Sequence, residues 1–309
     1  MKIDRKNIFK RYTWLSEKKR PFIISNDYDG LICASFLSHH LNWNLVGYYD
    51  YNSIWLSKEA KKNKKDIIWV DLNILPKNGK SIGGHIVSIK GEVPVGFKTS
   101  CNANILAKVS SEDFNNKYPF STLLLLLWLF NVQYKKDDIG KLFLLHSDNT
   151  WMKVQKYSKN ISTWKNILDD YNWNQLFSNI DSIEYESKID QYLYPKLIQI
   201  GASSKFGKLS SKYLNIKSRE CKFNPDWDTD IILKLFDLFG YHLGWTPPKL
   251  PIISECINGK RYKISLDHIK KIGLNEFIKK NKIFSYAITS TTNINYTLFN
   301  SYHSNVKKT

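Results

Sequence analysis

The segment Asp27-Tyr28-Asp29-Gly30 sets two carboxylates one residue apart beside a glycine. Oxygens so spaced, in a loop that leads from a strand into a helix, face one cleft and are the donors that hard divalent cations take. Asp and Gly are also ordinary turn residues, and an Asp at this place can simply cap the helix that starts near Gly30. Three more residues stand where chemistry is possible. Asp71 closes the apolar run Ile68-Trp69-Val70, His85 follows Gly83-Gly84, and Asp148 follows the apolar stretch 142–145. Asp71 has its own bland reading, as the cap of a turn before Pro76. Four acids and a histidine, each at the edge of a buried segment, can converge on one edge of a sheet and bind one or two Mn²⁺ or Mg²⁺ ions, the imidazole favouring Mn²⁺. Two such ions about 3.5–4 Å apart clamp a phosphodiester and lower the pKa of the attacking water.

Positioning these residues requires alternating strands and helices. Residues 22–24 are an apolar run ending in Ser25-Asn26-Asp27, and 31–41 carry apolar residues at helical spacing. Residues 44–49 read as a second strand, 57–65 as a lysine-rich helix, 66–71 as a buried strand ending in an acid, and 85–89 as a fourth strand opened by His85. Strands separated by helices predict an α/β fold, a mostly parallel sheet with flanking helices whose ligands bind beyond the carboxyl ends of the strands. Residues 120–131 predict a buried helix behind Pro119, 139–145 a second apolar stretch, and 156–199 a helical connector.

The last hundred residues predict a smaller α+β domain. A helix is expected over 230–239, stopped by Gly240 and Gly244 and then Pro247-Pro248. Segments 252–257 and 261–266 flank Asn258-Gly259, a strong hairpin signal. A basic helix follows over 267–280, then a strand pair within 283–296. The expected domains are therefore residues 1–155, which carry the acids, the connector 156–199, and a C-terminal substrate-binding domain over 200–309.

The order and placement of these motifs resemble the DHH phosphoesterase superfamily, which includes RecJ-type exonucleases, oligoribonuclease-like phosphodiesterases and inorganic pyrophosphatases. The first motif, a strand running into DxDG and a small-residue helix, is similar to residues 23–34; the second, a lone Asp closing a hydrophobic strand, to Asp71. The third, Asp-His-His, falls where Gly83-Gly84-His85-Ile86-Val87 stands, and the fourth, an Asp before small polar residues, is similar to Asp148-Asn149-Thr150. The resemblance spans residues 20–155 and implies that Asp27, Asp29, Asp71 and Asp148 hold the metal, while His85 is a ligand or a catalytic residue orienting substrate. The chain departs from the pattern in three ways. Ser25 and Asn26 stand where the family has a histidine before DxD, only His85 remains of Asp-His-His, and no Gly-Gly-Gly-His follows residue 200. The first two departures leave a single-metal site or an inactive one.

Composition points to the partner. Lysine plus arginine exceed aspartate plus glutamate by 46 to 28, a net charge of +18, which favours polyanions such as nucleic acid. An AT-rich coding sequence gives the same lysine, asparagine and isoleucine bias. Asn26, Lys205, Lys208, Lys212 and Arg219 are the expected substrate contacts, and the lysines of 58–65 are a solvated face or a steering patch. Trp43, Tyr48, Tyr49, Tyr51 and Trp55 are core residues or a base-stacking cluster. His39 and His40 read as surface or packing residues, and His146 as a neighbour of the metal ligands. The longest apolar run, 123–130, falls short of the roughly 20 residues a membrane span needs, and Cys33, Cys101, Cys221 and Cys256 form no CxxC pair. A cytoplasmic protein with reduced thiols and no membrane association is expected. The sequence thus predicts a Mn²⁺- or Mg²⁺-dependent phosphodiesterase acting on nucleic acid or short oligonucleotides in an interdomain cleft. Two alternatives stay open: a catalytically degenerate DHH-like subunit that binds nucleic acid or protein, and a hydrolase of cyclic or other small nucleotides.

Overall fold

The computed structural model describes residues 2–75, 79–134, 137–202, 221–288 and 290–299. Its fold class is α/β, a seven-stranded, mostly parallel sheet with flanking helices and a separate three-stranded antiparallel sheet in the C-terminal part. The chain divides into two compact units. One comprises Met1–Arg5, Asn26–Trp43 and Pro119–Lys249, and the other Lys6–Ser25, Asn44–Tyr118 and Leu250–Thr309.

Among the described residues, the second of these holds every strand. β1 (Pro21–Ser25), β2 (Asn44–Tyr49), β3 (Ser53–Ser57), β4 (Ile68–Val70), β5 (Lys80–Gly83), β6 (Cys101–Asn102) and β7 (Ile253–Asn258) form the large sheet in the order β6-β5-β4-β1-β2-β3-β7. The pairs β1–β2, β1–β4, β4–β5 and β5–β6 are parallel, whereas β3 joins both β2 and β7 antiparallel. Central strands covered on both faces read as unbroken apolar runs, which is why Phe22-Ile23-Ile24 and Ile68-Trp69-Val70 were legible. Ile23, Val46, Tyr49, Leu56, Trp69, Phe284 and Phe299 share one buried cluster, with Trp69 edge-on to both Tyr49 and Phe284. Burying each such side chain contributes about 1.5–3 kcal/mol.

The small sheet has the order β8-β10-β9, from β8 (Lys260–Ser265), β9 (Ser285–Ile288) and β10 (Asn293–Leu298). The strand pair within 283–296 is thus present as β9 and β10. The hairpin expected at Asn258-Gly259 is not: β7 pairs with β3 and β8 with β10, so the turn passes the chain from one sheet to the other. The Gly259 N–H donates to the Asn52 carbonyl at 2.6 Å, a distant partner that local turn rules cannot register. Likewise, the strand expected over 85–89 lies earlier, as β5. A Cβ on Gly83 would fall 2.3 Å from the Asp71 carbonyl oxygen, so the glycine pair closes this strand and does not open the next. β3 was not foreseen. The basic stretch 267–280 is two helices, Leu266–Ile272 and Leu274–Asn281, broken at Gly273, whose φ is +88°.

The other unit is helical. Tyr28–Leu41 is buried along most of its length and packs against Thr122–Leu129 and Thr229–Leu243. All eight residues of Thr122–Leu129 are buried, and the Ser121 hydroxyl caps its first turn. Asp138–His146 follows, and five short α-helices from Thr150–Lys156 to Tyr194–Gln199 occupy most of the expected connector. Thr229–Leu243 runs through Gly240 and stops at Gly244. These units do not follow the boundaries drawn at 155 and 200, because β7 completes the large sheet and 229–243 belongs with the helices. Among the described residues no helix is long and apolar enough to cross a membrane.

Cys33, Cys101 and Cys221 are buried and Cys256 is exposed. Burial pushes the Cys101 thiol up to about 12, against a small opposing pull from Arg11. Native protein treated with iodoacetamide should therefore be modified at Cys256 alone, and raising the pH to about 10, above the usual thiol pKa, should leave Cys101 intact because its thiolate does not form. Mass spectrometry showing Cys101 labelled as fast as Cys256 would contradict this packing.

Candidate metal centre

Ser25 ends β1, and four residues later the chain is inside a helix. Within the sheet-bearing unit the Ser25 hydroxyl donates to Asp71 Oδ2 at 2.7 Å, and His85 Nε2 lies 2.9 Å from Asp71 Oδ1. Asp71 is only 2% exposed and has φ of +81°, a left-handed conformation that an Asp adopts at a cost of about 1–3 kcal/mol. That turn follows β4 directly, and the Asp71 N–H stays bonded to the Ile82 carbonyl of β5.

His85 is placed by the loop after β5. Gly84 has no room for a side chain, since a Cβ there would meet the Tyr118 ring at 2.3 Å. Asn104, itself fully buried, donates its amide to the Gly84 carbonyl and accepts from the Tyr118 N–H, both at 2.6 Å. Next to it Asn102 donates to Asn73, and Asn73 to Ser81, fixing the turn after Asp71 to β5 and β6. The His85 ring, half-buried, is thus held through the backbone of the preceding residue and through the Asp71 carboxylate. A ring nitrogen bonded to a carboxylate fixes the tautomer and leaves the other nitrogen as the metal donor, the usual arrangement around metal-binding histidines.

The helical unit carries the other acids. Asp27 is the N-cap of Tyr28–Leu41, accepting from the Gly30 N–H at 3.0 Å. The buried Asn26 donates its side-chain amide to the Phe223 carbonyl at 2.7 Å, and its backbone carbonyl accepts from the Phe223 N–H, so its amide nitrogen is committed to the chain around 223. Asp29 is buried in the first helical turn, where the helix dipole favours a carboxylate. Ser147 Oγ donates to its Oδ1, and the Thr122 N–H approaches its Oδ2 at 3.4 Å. Asp148 and Asn149 are consecutive left-handed residues, with φ of +46° and +53°. This kink ends the Asp138–His146 run and starts Thr150–Lys156, which delivers Lys153 Nζ to Asp148 Oδ2 at 2.5 Å.

Each unit thus carries part of a possible ligand set: in the helical unit Ser147 joins Asp29 to the residue before Asp148, and in the sheet-bearing unit Asp71 fixes the His85 ring. Carboxylates and an imidazole suit Mn²⁺ or Mg²⁺ by donor type. Asp27 and Asp71 are engaged otherwise: one oxygen of Asp27 is used as a helix cap, and both oxygens of Asp71 are used by Ser25 and His85. Lys205, Lys208, Lys212 and Arg219 lie outside the described residues. His146 is a core residue, edge-on to Tyr28 at 4.8 Å and to Tyr194 at 5.7 Å, and burial pushes its pKa down to about 4, so it is neutral at pH 7. Trp43, Tyr48, Tyr49 and Trp55 are buried and cannot stack on bases; Tyr51 alone of that cluster is half-exposed.

Sequence reasoning missed Ser147, Lys153 and Asn104. Ser147 was signalled by its place beside Asp148 and Asn104 by being polar amid apolar neighbours, whereas Lys153, five residues on from Asp148, has no spacing rule to mark it. No family model, curated protein or solved structure matches the chain.

Replacing Asn104 by Ala strips a buried carbonyl and a buried N–H of their partner, so urea unfolding should show a loss of about 2–4 kcal/mol. Unchanged stability would mean that the His85 loop is held by other contacts.

Proposed function

We propose that this protein is a metal-dependent phosphodiesterase of the DHH type acting on nucleic acid or short oligonucleotides. The observation that carries the reading is that each unit keeps part of what the motif order picks out: Ser147 joins Asp29 to the residue before Asp148 in one, and Asp71 fixes the His85 ring in the other. In this reading Asp29 and Asp148 are carboxylate ligands, Asp71 orients His85, and Ser25 holds Asp71 by its second oxygen. Asp27 keeps its cap. Adding Asp27 leaves its cap in place, since Gly30 uses only Oδ1, whereas adding Asp71 draws on oxygens already bonded to Ser25 and His85.

A bound Mn²⁺ or Mg²⁺ supplies charge for the phosphate and a water of lowered pKa. The chain's own residues do the rest. Asp71 keeps the His85 ring in one orientation and tautomer, and Ser147 orients the Asp29 carboxylate from its Oδ1 side. Lys153, held by Asp148, puts an ammonium beside the ligands, where it can balance a phosphate oxygen.

Two observations favour the degenerate reading as the second: Lys153 occupies an oxygen of Asp148, and His85 alone stands where the family pattern has more histidines. On that reading the protein binds polyanions without turnover.

Calorimetry with Mn²⁺ should show binding in wild type and its loss in Asp29→Asn and Asp148→Asn. Asp27→Ala should keep the metal while losing about 1 kcal/mol of stability, the ordinary worth of a cap. Hydrolysis of short oligonucleotides or of cyclic dinucleotides should need Mn²⁺ and vanish in the same two variants. Wild type and Asp29→Asn behaving alike in both assays would overturn the proposal and leave the binding subunit.

A further inference from the structure

We infer that the open face of β8 is a docking surface for single-stranded nucleic acid, with Arg261 and Lys263 as its phosphate contacts. This deepens the phosphodiesterase reading and rests on it for the fate of the bound strand, not for the binding itself.

β8 is an edge strand, and Lys260, Arg261, Tyr262 and Lys263 in it are all exposed. Residues two apart share a face of a strand, so Arg261, Lys263 and Ser265 lie together, opposite Thr297, Asn295 and Asn293 of β10. The three strands read KRYKIS, SYAI and NINYTL, with no carboxylate, and two of their three cations, Arg261 and Lys263, lie on this face. A solvated sheet face in an ordinary protein mixes the two signs, and an acid here would pair with the lysines or repel a phosphate.

Edge lysines also guard a sheet against pairing with other chains, and Lys260 and Lys263 serve that purpose whatever else they do. Arg261 is different. Its guanidinium lies 4.5 Å from the centroid of the half-exposed Tyr51 ring, a stack that holds a flat, delocalised cation at the surface with less side-chain entropy left to lose on binding. Guanidinium planes and aromatic faces are what unpaired bases stack on, and the half-buried Asn295, directly opposite Lys263, offers an amide for base edges. Base edges and faces are accessible in single strands, which selects them over duplex.

The test is fluorescence anisotropy with labelled oligothymidylate and oligouridylate of about 12 nucleotides, in EDTA so that nothing is cleaved. The double variant Arg261→Glu/Lys263→Glu should weaken binding at least about 30-fold at about 0.1 M salt and flatten the salt dependence by about 1.4, the slope that two single-strand phosphates carry. The control Lys58→Glu/Lys62→Glu makes the same change in net charge on another exposed face of this unit and should cost less than about 3-fold if contacts, not bulk charge, decide. Circular dichroism checks that both fold. Equal losses in the two doubles, no loss in either, or equal affinity for duplex would overturn the inference, as would a clear preference for anionic vesicles. Because no metal is present, intact binding with no Mn²⁺-dependent hydrolysis would remove the phosphodiesterase reading and leave this one standing.

Discussion

A carboxylate that is 2% exposed cannot be left alone, and the local structure around Asp71 follows from that constraint. Desolvating an ionised group costs several kcal/mol unless hydrogen bonds replace the lost water. Here Ser25 takes one oxygen and His85 the other, so β1, β4 and the loop after β5 are tied at a single side chain. For the ring to arrive, the chain must pass flush against the Asp71 backbone, which only a glycine at 83 allows. The loop that results is then pinned by Asn104, whose two bonds satisfy backbone groups no strand could pair. The left-handed backbone at Asp71 is the strain this arrangement tolerates.

The helical unit solves the same problem in another way. Asp29 is buried as well, but its charge is met by a helix N-terminus, a hydroxyl and a backbone N–H. A helix end and a cation make the same demand of a carboxylate, so the turn reading of DxDG and the metal reading are not rivals at the level of the whole motif. They divide it: Asp27 caps, and Asp29 belongs to the set that can ligate. Left-handed residues recur at Asp148 and Asn149. The same conformation is found at Lys19, Asn42, Lys90 and others, so the backbone alone does not mark the acids, and their role rests on the contacts of their carboxylates.

What the sequence made legible was whatever is local. Runs such as Phe22-Ile23-Ile24 and the helical spacing of 31–41 declare their elements because burial on both faces, or on one, writes itself into neighbouring residues. Pairing partners are not local. Asn258-Gly259 carries hairpin chemistry, yet the strands on either side join different sheets, β7 pairing with β3 and β8 with β10. β3 went unseen because Trp55, its one aromatic residue, read as part of a cluster. In the site, the acids and His85 were legible by type and by position after a strand. The roles of Ser147, Lys153 and Asn104 were not, even where position hinted at the residue, because a residue that orients another is defined by contacts that form only on folding.

Charge gives the last step. The chain carries +18 overall, yet the residues singled out for chemistry are carboxylates. A phosphodiester drawn in by the lysines meets, at Asp29 and Asp148, groups of its own sign. Like charges in a partly desolvated site repel by more than the long-range attraction of solvated lysines can offset, because screening in about 0.15 M salt confines that attraction to roughly 8 Å. Lys153 neutralises one carboxylate and leaves the balance negative. A site built this way binds phosphate only when a further cation reverses its sign, so on the phosphodiesterase reading the metal is a condition of substrate binding as well as of cleavage. The open face of β8 is under no such condition, having cations and no acids.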